Sequence, residues 1–328
     1  MDVARGIAIL MVVITHIGVG ETLNRLLYSV HLPVFFIASG YFFRFEKSFL
    51  KFLWRKAKGY LLPYLFCSLC ISLFLLIRSG GSLEELSYSL KDFALQKRYT
   101  ALWFLAALFL CNLLFWLLQF LSKQTLWAYL PCVVLACVFA YYNNRGGKPL
   151  WWNLDAAFVA LSFMAVGHAL RKFALLDKLL ALQKWQVLLL FAGLAGVSVA
   201  ITEGNYAWCG RSLEMYHSSY GIFPLTFLAG CFGSIALFLL GGALPIKPLA
   251  YLGENAMAYF AFHQAVGIPL ARQAVRFLSL PNWAEWVGVF LLTVAICAVI
   301  DLAIGQTPLR FLLGKPIRKR GKKGAGTD

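Results

Sequence analysis

Residues 2–19 read Asp-Val-Ala-Arg-Gly-Ile-Ala-Ile-Leu-Met-Val-Val-Ile-Thr-His-Ile-Gly-Val. The run is apolar except at its start and at two further points, Arg5 and His16. Eleven positions make about three helical turns, so both side chains leave one face of a helix, roughly 16 Å apart along its axis. Arginine and histidine are rare inside hydrocarbon and face a bundle interior or a watery cavity when they occur there. A cation at one membrane edge and a titratable base near mid-depth point to chemistry carried out within a bilayer.

The remainder of the chain repeats the apolar pattern. It is 61% hydrophobic with a mean hydropathy of +0.73, and only 13% of its 328 residues are charged, about half the share of a soluble domain. Spans of about 20 apolar residues recur from end to end. Ten are expected, at residues 3–19, 29–43, 60–77, 101–121, 126–142, 155–170, 186–201, 221–240, 249–271 and 283–305. The expected fold is therefore an all-α integral membrane protein of about ten transmembrane helices. The second span is short, and Ser39-Gly40 marks a place where it would bend or break.

Charge sets the orientation. With both termini cytoplasmic, the inner segments hold Arg5, six cations from Arg44 to Lys58, Lys123, Arg171, Lys172, Lys178, Lys184, Lys247 and seven from Arg310 to Lys323, which is 20 of the 30 lysines and arginines. The outer loops mix the other ten with acidic residues. That asymmetry follows the positive-inside rule. The net charge of +16 is thus a topology signal that needs no nucleic-acid partner; the partner it implies is the lipid bilayer.

The first span resembles a secretory signal in length, but no small-residue cleavage site follows and Asp2 and Arg5 sit in it, so it reads as permanent. Seven of the eight cysteines, including Cys67-x-x-Cys70, fall inside spans and read as small hydrophobes; neither a disulfide framework nor a metal site is expected. Phe45, Phe49, Phe52 and Leu53 follow helical spacing, with Lys47, Lys51, Arg55 and Lys58 mostly elsewhere on the wheel. This suits an interfacial helix. Its cations serve either as a solvated topology signal or, at Arg44, Arg55 and Lys56, as a hold on the phosphates of a cytoplasmic ligand. Residues 1–314 form the membrane domain, and residues 315–328 a basic, glycine-rich tail expected to be disordered.

Five signatures in order carry a resemblance. Asp2, Arg5, Gly6 and His16 form the first. His31, Pro33, Phe35, Phe36, Ser39, Gly40, Tyr41 and Phe42 form the second, and Leu102, Trp103 and Phe104 the third. Trp152, Asn153, Leu154 and Asp155, with Phe163 and Gly167 behind them, form the fourth. Tyr251, Leu252, Gly253, Glu254 and Asn255, followed by Phe262 and His263, form the fifth. Over nearly its whole length the chain resembles the membrane acyltransferase 3 family, and within it the branch related to fucose 4-O-acetylases. Two departures stand out. Met1 occupies a place where the family has an apolar residue with a basic stretch upstream, which leaves open an earlier start. Residues 216–221 follow the branch's pattern only loosely, which leaves the acceptor open.

The resemblance implies an O-acyltransferase of the bacterial inner membrane that moves an acyl group, commonly acetyl from acetyl-CoA, to a hydroxyl of a glycan or glycolipid acceptor. Such transfer needs a base for the hydroxyl proton, and histidine suits that task near neutral pH. His16 is the candidate base, the alternative being a hydrogen-bonded core histidine. Arg5, near the inner surface, is the candidate to grip phosphate or orient a neighbour, the alternative being a positive-inside anchor. Asp2 is placed to pair with it. His31, Trp103 and Asp155 at the outer level, and His263 near mid-depth, are candidate acceptor contacts; belt residues and structural hydrogen bonds are their ordinary alternatives. Ser39 as a covalent nucleophile is weighed against close packing beside Gly40. His168, His217 and Asp301 carry no assigned chemistry. The competing function is a transporter or flippase of a glycolipid or small metabolite, in which Arg5 and His16 line a pathway; no inverted repeat between the halves supports it. A non-catalytic scaffold of envelope assembly is a third reading, for which the aligned Arg5 and His16 are unnecessary.

Overall fold

The structure is a computed structural model that describes residues 1–96 and 98–315. Helices α1 (Asp2–His16) and α2 (Glu21–Tyr41) open the chain. Helix α3 (Phe49–Lys56) passes through a π-helical turn (Ala57–Leu61) into α4 (Leu62–Arg78). Then come α5 (Leu83–Leu95), α6 (Trp103–Leu121), α7 (Tyr129–Asn144), α8 (Leu154–Lys172), α9 (Leu175–Leu180), α10 (Lys184–Cys209) and α11 (Phe223–Ala243). A broken segment follows: α12 (Lys247–Glu254), α13 (Ala256–Phe262), a second π turn (His263–Gly267) and α14 (Ile268–Arg276). Helix α15 (Asn282–Gly305) completes the bundle. An isolated antiparallel bridge, Glu214 with Ser219, is the extended pairing found among the described residues.

Seven helices among the described residues are long and apolar enough to cross a membrane: 49–78, 103–121, 126–144, 151–172, 184–209, 223–243 and 282–305. The protein is therefore an all-α, multi-pass membrane protein. The other three expected spans fall short for visible reasons. Helix α1 has 15 residues, about 22 Å of rise against a hydrocarbon core of about 30 Å. Helix α2 carries Glu21, Arg25 and His31, and the segment from α12 to α14 is interrupted at Asn255 and again at its π turn.

These three segments form the interior with α6, α8 and α11. The central and peripheral helices differ sharply: 72% of the α8 span is buried in the protein, against 17% for α10. Two glycine crossings hold the centre. A Cβ on Gly40 would run into the Met164 carbonyl, and one on Gly167 into the Ile37 carbonyl, so α2 and α8 touch backbone to backbone. Gly6 and Gly253 do the same for α1 and α12 against the Leu249 and Asp2 carbonyls. Small residues at such crossings replace the hydrophobic effect as the source of helix association in lipid.

Several boundaries depart from expectation. Helix α2 begins at Glu21, not at residue 29, because Arg25 is held by Glu203 at 2.6 Å and lies 3.8 Å from the Tyr206 ring centroid. It then continues unbroken through Ser39-Gly40, where the glycine serves close packing. The break falls instead in the ninth span. Helix α5, which apolar spacing did not suggest, docks through Tyr64 Oη donating to the Phe93 carbonyl and Trp152 Nε1 donating to the Ala94 carbonyl at 3.2 Å. The amphipathic segment after α2 is helical as α3, yet Phe52 turns inward against Phe43 and Trp116. Asp301 is buried and held by Lys315 at 2.6 Å and by the Tyr251 hydroxyl at 3.2 Å. Of the expected tail, residues 316–328 lie outside the described residues.

Candidate active site

Two cavities lie end to end along α1. The first, about 340 Å³, is lined near the start of α1 by Arg5, Lys56, Tyr60, Glu254 and Gly314, and further in by Ser39, Phe35, Phe104 and Phe260. The second, about 160 Å³, is lined by Val12, His16, Tyr28, His31, Trp103, Tyr216, His217, Phe260 and Gln264. The helical spacing of Arg5 and His16 thus becomes one residue on each cavity, and Phe260 lines both.

In the first cavity Arg5 pairs with Asp2 one turn away. Its Nε is buried without a hydrogen-bond partner among the described residues. Lys56 lies 5.5 Å from the Tyr60 ring centroid, and Tyr60 comes from the first π turn. Ser39 Oγ accepts from Asn112 Nδ2 at 3.1 Å, and that amide also donates to the Leu108 carbonyl at 2.8 Å. Of the three cations expected to hold phosphates, Lys56 alone is on the cavity wall. Arg55 is engaged with Glu46 and with the Arg44 carbonyl, and Arg44 is exposed on the same surface.

Around the second cavity the imidazoles share one design. His16 Nδ1 lies 2.8 Å from the Val12 carbonyl and His31 Nδ1 2.7 Å from the Leu27 carbonyl, while His263 Nδ1 lies 2.9 Å from the Phe260 carbonyl. A carbonyl only accepts, so in the neutral ring each Nδ1 carries the proton and each Nε2 presents a lone pair. His16 is thereby preset to take a proton at Nε2 from a group in the cavity. The His263 ring meets His16 edge to face at 4.9 Å between centroids. It is fully buried, and its Nε2 has no partner among the described residues. The second π turn brings Gln264 to the same cavity. Such turns are rare and concentrate at functional sites, and each of the two found here supplies a cavity wall.

A loop, residues 210–222, covers the second cavity. Its bridge from Glu214 to Ser219 turns Tyr216 and His217 over the opening, with Tyr216 6.2 Å from Trp103 between ring centroids. Arg98 holds the loop in place. Its guanidinium donates to the Tyr216 carbonyl at 2.8 Å, to Ser218 Oγ and to Asn153 Oδ1 at 3.1 Å, and it pairs with Asp155. Asp155 is fully buried and also accepts from the Leu150 amide at 3.2 Å.

The candidates therefore separate into groups. His16, His31 and Trp103 meet around one cavity, Arg5 and Lys56 around the other, and His263 stands behind His16. Asp155 faces Arg98 and is not among the residues lining either cavity, so its carboxylate positions the loop. Tyr216 and His217, in the loosely patterned stretch 216–221, carried no assigned chemistry, and Tyr28, Gln264 and Arg98 were missed. Their neighbours in sequence carry no distinguishing spacing, and only the fold brings their helices and loops together. His168, by contrast, is occupied by the Tyr129 hydroxyl at 2.8 Å from its Nδ1.

Fold and site together define a multi-pass membrane protein with a two-chambered polar interior, one chamber cationic and one imidazole-lined. The family model of an acyltransferase domain, acyltransferase 3, matches residues 1–302, and the chain belongs to that family of membrane acyltransferases. No curated protein and no solved structure matches the chain.

Proposed function

We propose that this protein is an O-acetyltransferase of the bacterial inner membrane, of the branch related to fucose 4-O-acetylases. It moves an acetyl group from cytoplasmic acetyl-CoA to a hydroxyl of a sugar or envelope glycan. The observation that carries this reading is His16, its Nδ1 committed to the Val12 carbonyl at 2.8 Å and its ring on the wall of the second cavity. Both termini are cytoplasmic in this scheme. Acetyl-CoA enters at the Arg5 end, where Arg5 and Lys56 meet its phosphates and Arg44 and Arg55 add to the basic approach. The acceptor enters at the other end beneath the Asp155-anchored loop and contacts His31 and Trp103, with His263 behind the base.

In the reaction the acceptor hydroxyl gives its proton to His16 Nε2 as its oxygen attacks the thioester carbonyl carbon. The carbon–sulfur bond then breaks, the thiolate takes a proton from the imidazolium, and the products are an acetyl ester and free coenzyme A. General base catalysis of this kind contributes about 10²–10⁴-fold. Purified wild type given radiolabelled acetyl-CoA should therefore transfer or hydrolyse the label, and His16→Ala should lose at least about 100-fold of that rate. A His16→Ala protein with wild-type turnover would remove His16 as the base. Failure of the wild type to bind or turn over acetyl-CoA would favour a transporter.

A further inference from the structure

We propose that Phe260, backed by Phe104, is the partition between donor and acceptor chambers and sets the size of the acyl group transferred, a role that rests on the acyltransferase reading above. Phe260 is a residue on the wall of both cavities, and its side chain is 6% exposed. Its ring lies 5.0 Å from Phe104 and 6.2 Å from His263, and His263 in turn lies 4.9 Å from His16. Phe35 closes the same end of the first cavity, 5.8 Å from Phe104. A continuous file of rings thus runs from the end of the donor chamber to the base, and Phe260 is its middle member.

The reaction demands contact across that ring. A hydroxyl poised on His16 must come within about 3–3.5 Å of the thioester carbon, while coenzyme A occupies the chamber on the other side of Phe260. The thioester therefore reaches the place where the Phe260 ring stands, and whatever follows the carbonyl lies against Phe260 and Phe104. A methyl group is accommodated by small displacements of a ring. A longer chain must displace the ring from a packed aromatic file, and overfilling such a site is costly. One methylene in an apolar pocket already discriminates by about 10–200-fold. The ring's backbone is suited to small movements, since α13 is a seven-residue helix between the interruption at Asn255 and the π turn at His263. The same ring slows the approach of acceptor-chamber water to the thioester, so that hydrolysis without an acceptor is slow but measurable.

The test measures release of free coenzyme A by the purified full chain from acetyl-, butyryl- and hexanoyl-CoA, with water as the only acceptor. Wild type, Phe260→Ala, Phe260→Leu and Phe104→Leu are compared. The wild type is expected to favour acetyl-CoA over hexanoyl-CoA by at least tenfold in kcat/KM. Phe260→Ala should narrow that ratio by tenfold or more and raise hydrolysis of acetyl-CoA, with Phe260→Leu between them. A wild type that accepts hexanoyl-CoA as readily as acetyl-CoA overturns the proposal. So does a ratio within twofold of wild type in Phe260→Ala or, if that variant does not fold, in both leucine variants. Absence of thiol release from every acyl-CoA by both the wild type and Phe260→Ala would overturn the acyltransferase chemistry itself, and the size filter with it.

Discussion

Arg98 shows how much a single side chain decides here. Its guanidinium joins Asp155 and Asn153 at the head of α8 to the loop bearing Tyr216 and Ser218, and both charges of the pair are buried. Removing one partner of a buried ion pair leaves the other uncompensated and costs about 3–5 kcal/mol. Arg98→Ala is expected to lose stability on that scale in detergent unfolding. Asp155→Asn should lose stability on the same scale, since it leaves the Arg98 charge uncompensated and puts a donor nitrogen where one of two accepting oxygens stood, Oδ1 facing the Leu150 amide or Oδ2 facing Arg98. A loss much smaller than that of Arg98→Ala would mean that the charge of Asp155 adds little beyond its hydrogen bonds. Arg5 and His16 were legible in sequence because charge inside an apolar span is conspicuous and helical spacing is regular. Arg98 was not: in an outer loop an arginine looks like any solvated cation until the fold buries it.

At the scale of elements, the glycine crossings decide the packing. Gly40 and Gly167 sit at the same α2–α8 contact, each facing the other helix's backbone. Gly40→Ala or Gly167→Ala should each cost about 1–3 kcal/mol by forcing the helices apart. The double variant should cost less than the sum, because the first methyl already opens the gap that the second needs. Gly193→Ala on α10, where a Cβ meets nothing within 4 Å, is the control expected to leave stability unchanged. Thermal unfolding in one detergent compares all four, and strict additivity would contradict a shared crossing. The long apolar helices were readable from composition and periodicity. The two π turns were not, because the single extra residue in the backbone register of such a turn leaves no mark in hydropathy, yet they carry Tyr60 and Gln264 to the cavities.

At the scale of the molecule, the cationic chamber and the imidazole-lined chamber define two ends, and the scheme for acyl transfer requires them to face opposite compartments. In a Cys209→Ser background, Lys148→Cys is expected to react with an impermeant maleimide in intact cells, and Lys47→Cys only after the membrane is opened. The reverse pattern would put the Arg5 end outside and remove cytoplasmic acyl-CoA as its ligand. The sequence by itself determined that this is an all-α membrane protein and that Arg5 and His16 share a helix face, because apolar content, span length and helical period are local properties of the chain. It also carried the family signatures. Only the tertiary structure decided that Asp155 is locked to Arg98 rather than lining a cavity, that Tyr216 and His217 close over His16, and that one phenylalanine stands between two chambers. Those facts depend on which faces of distant helices meet, and close contact between segments far apart in sequence leaves no periodic trace in either one.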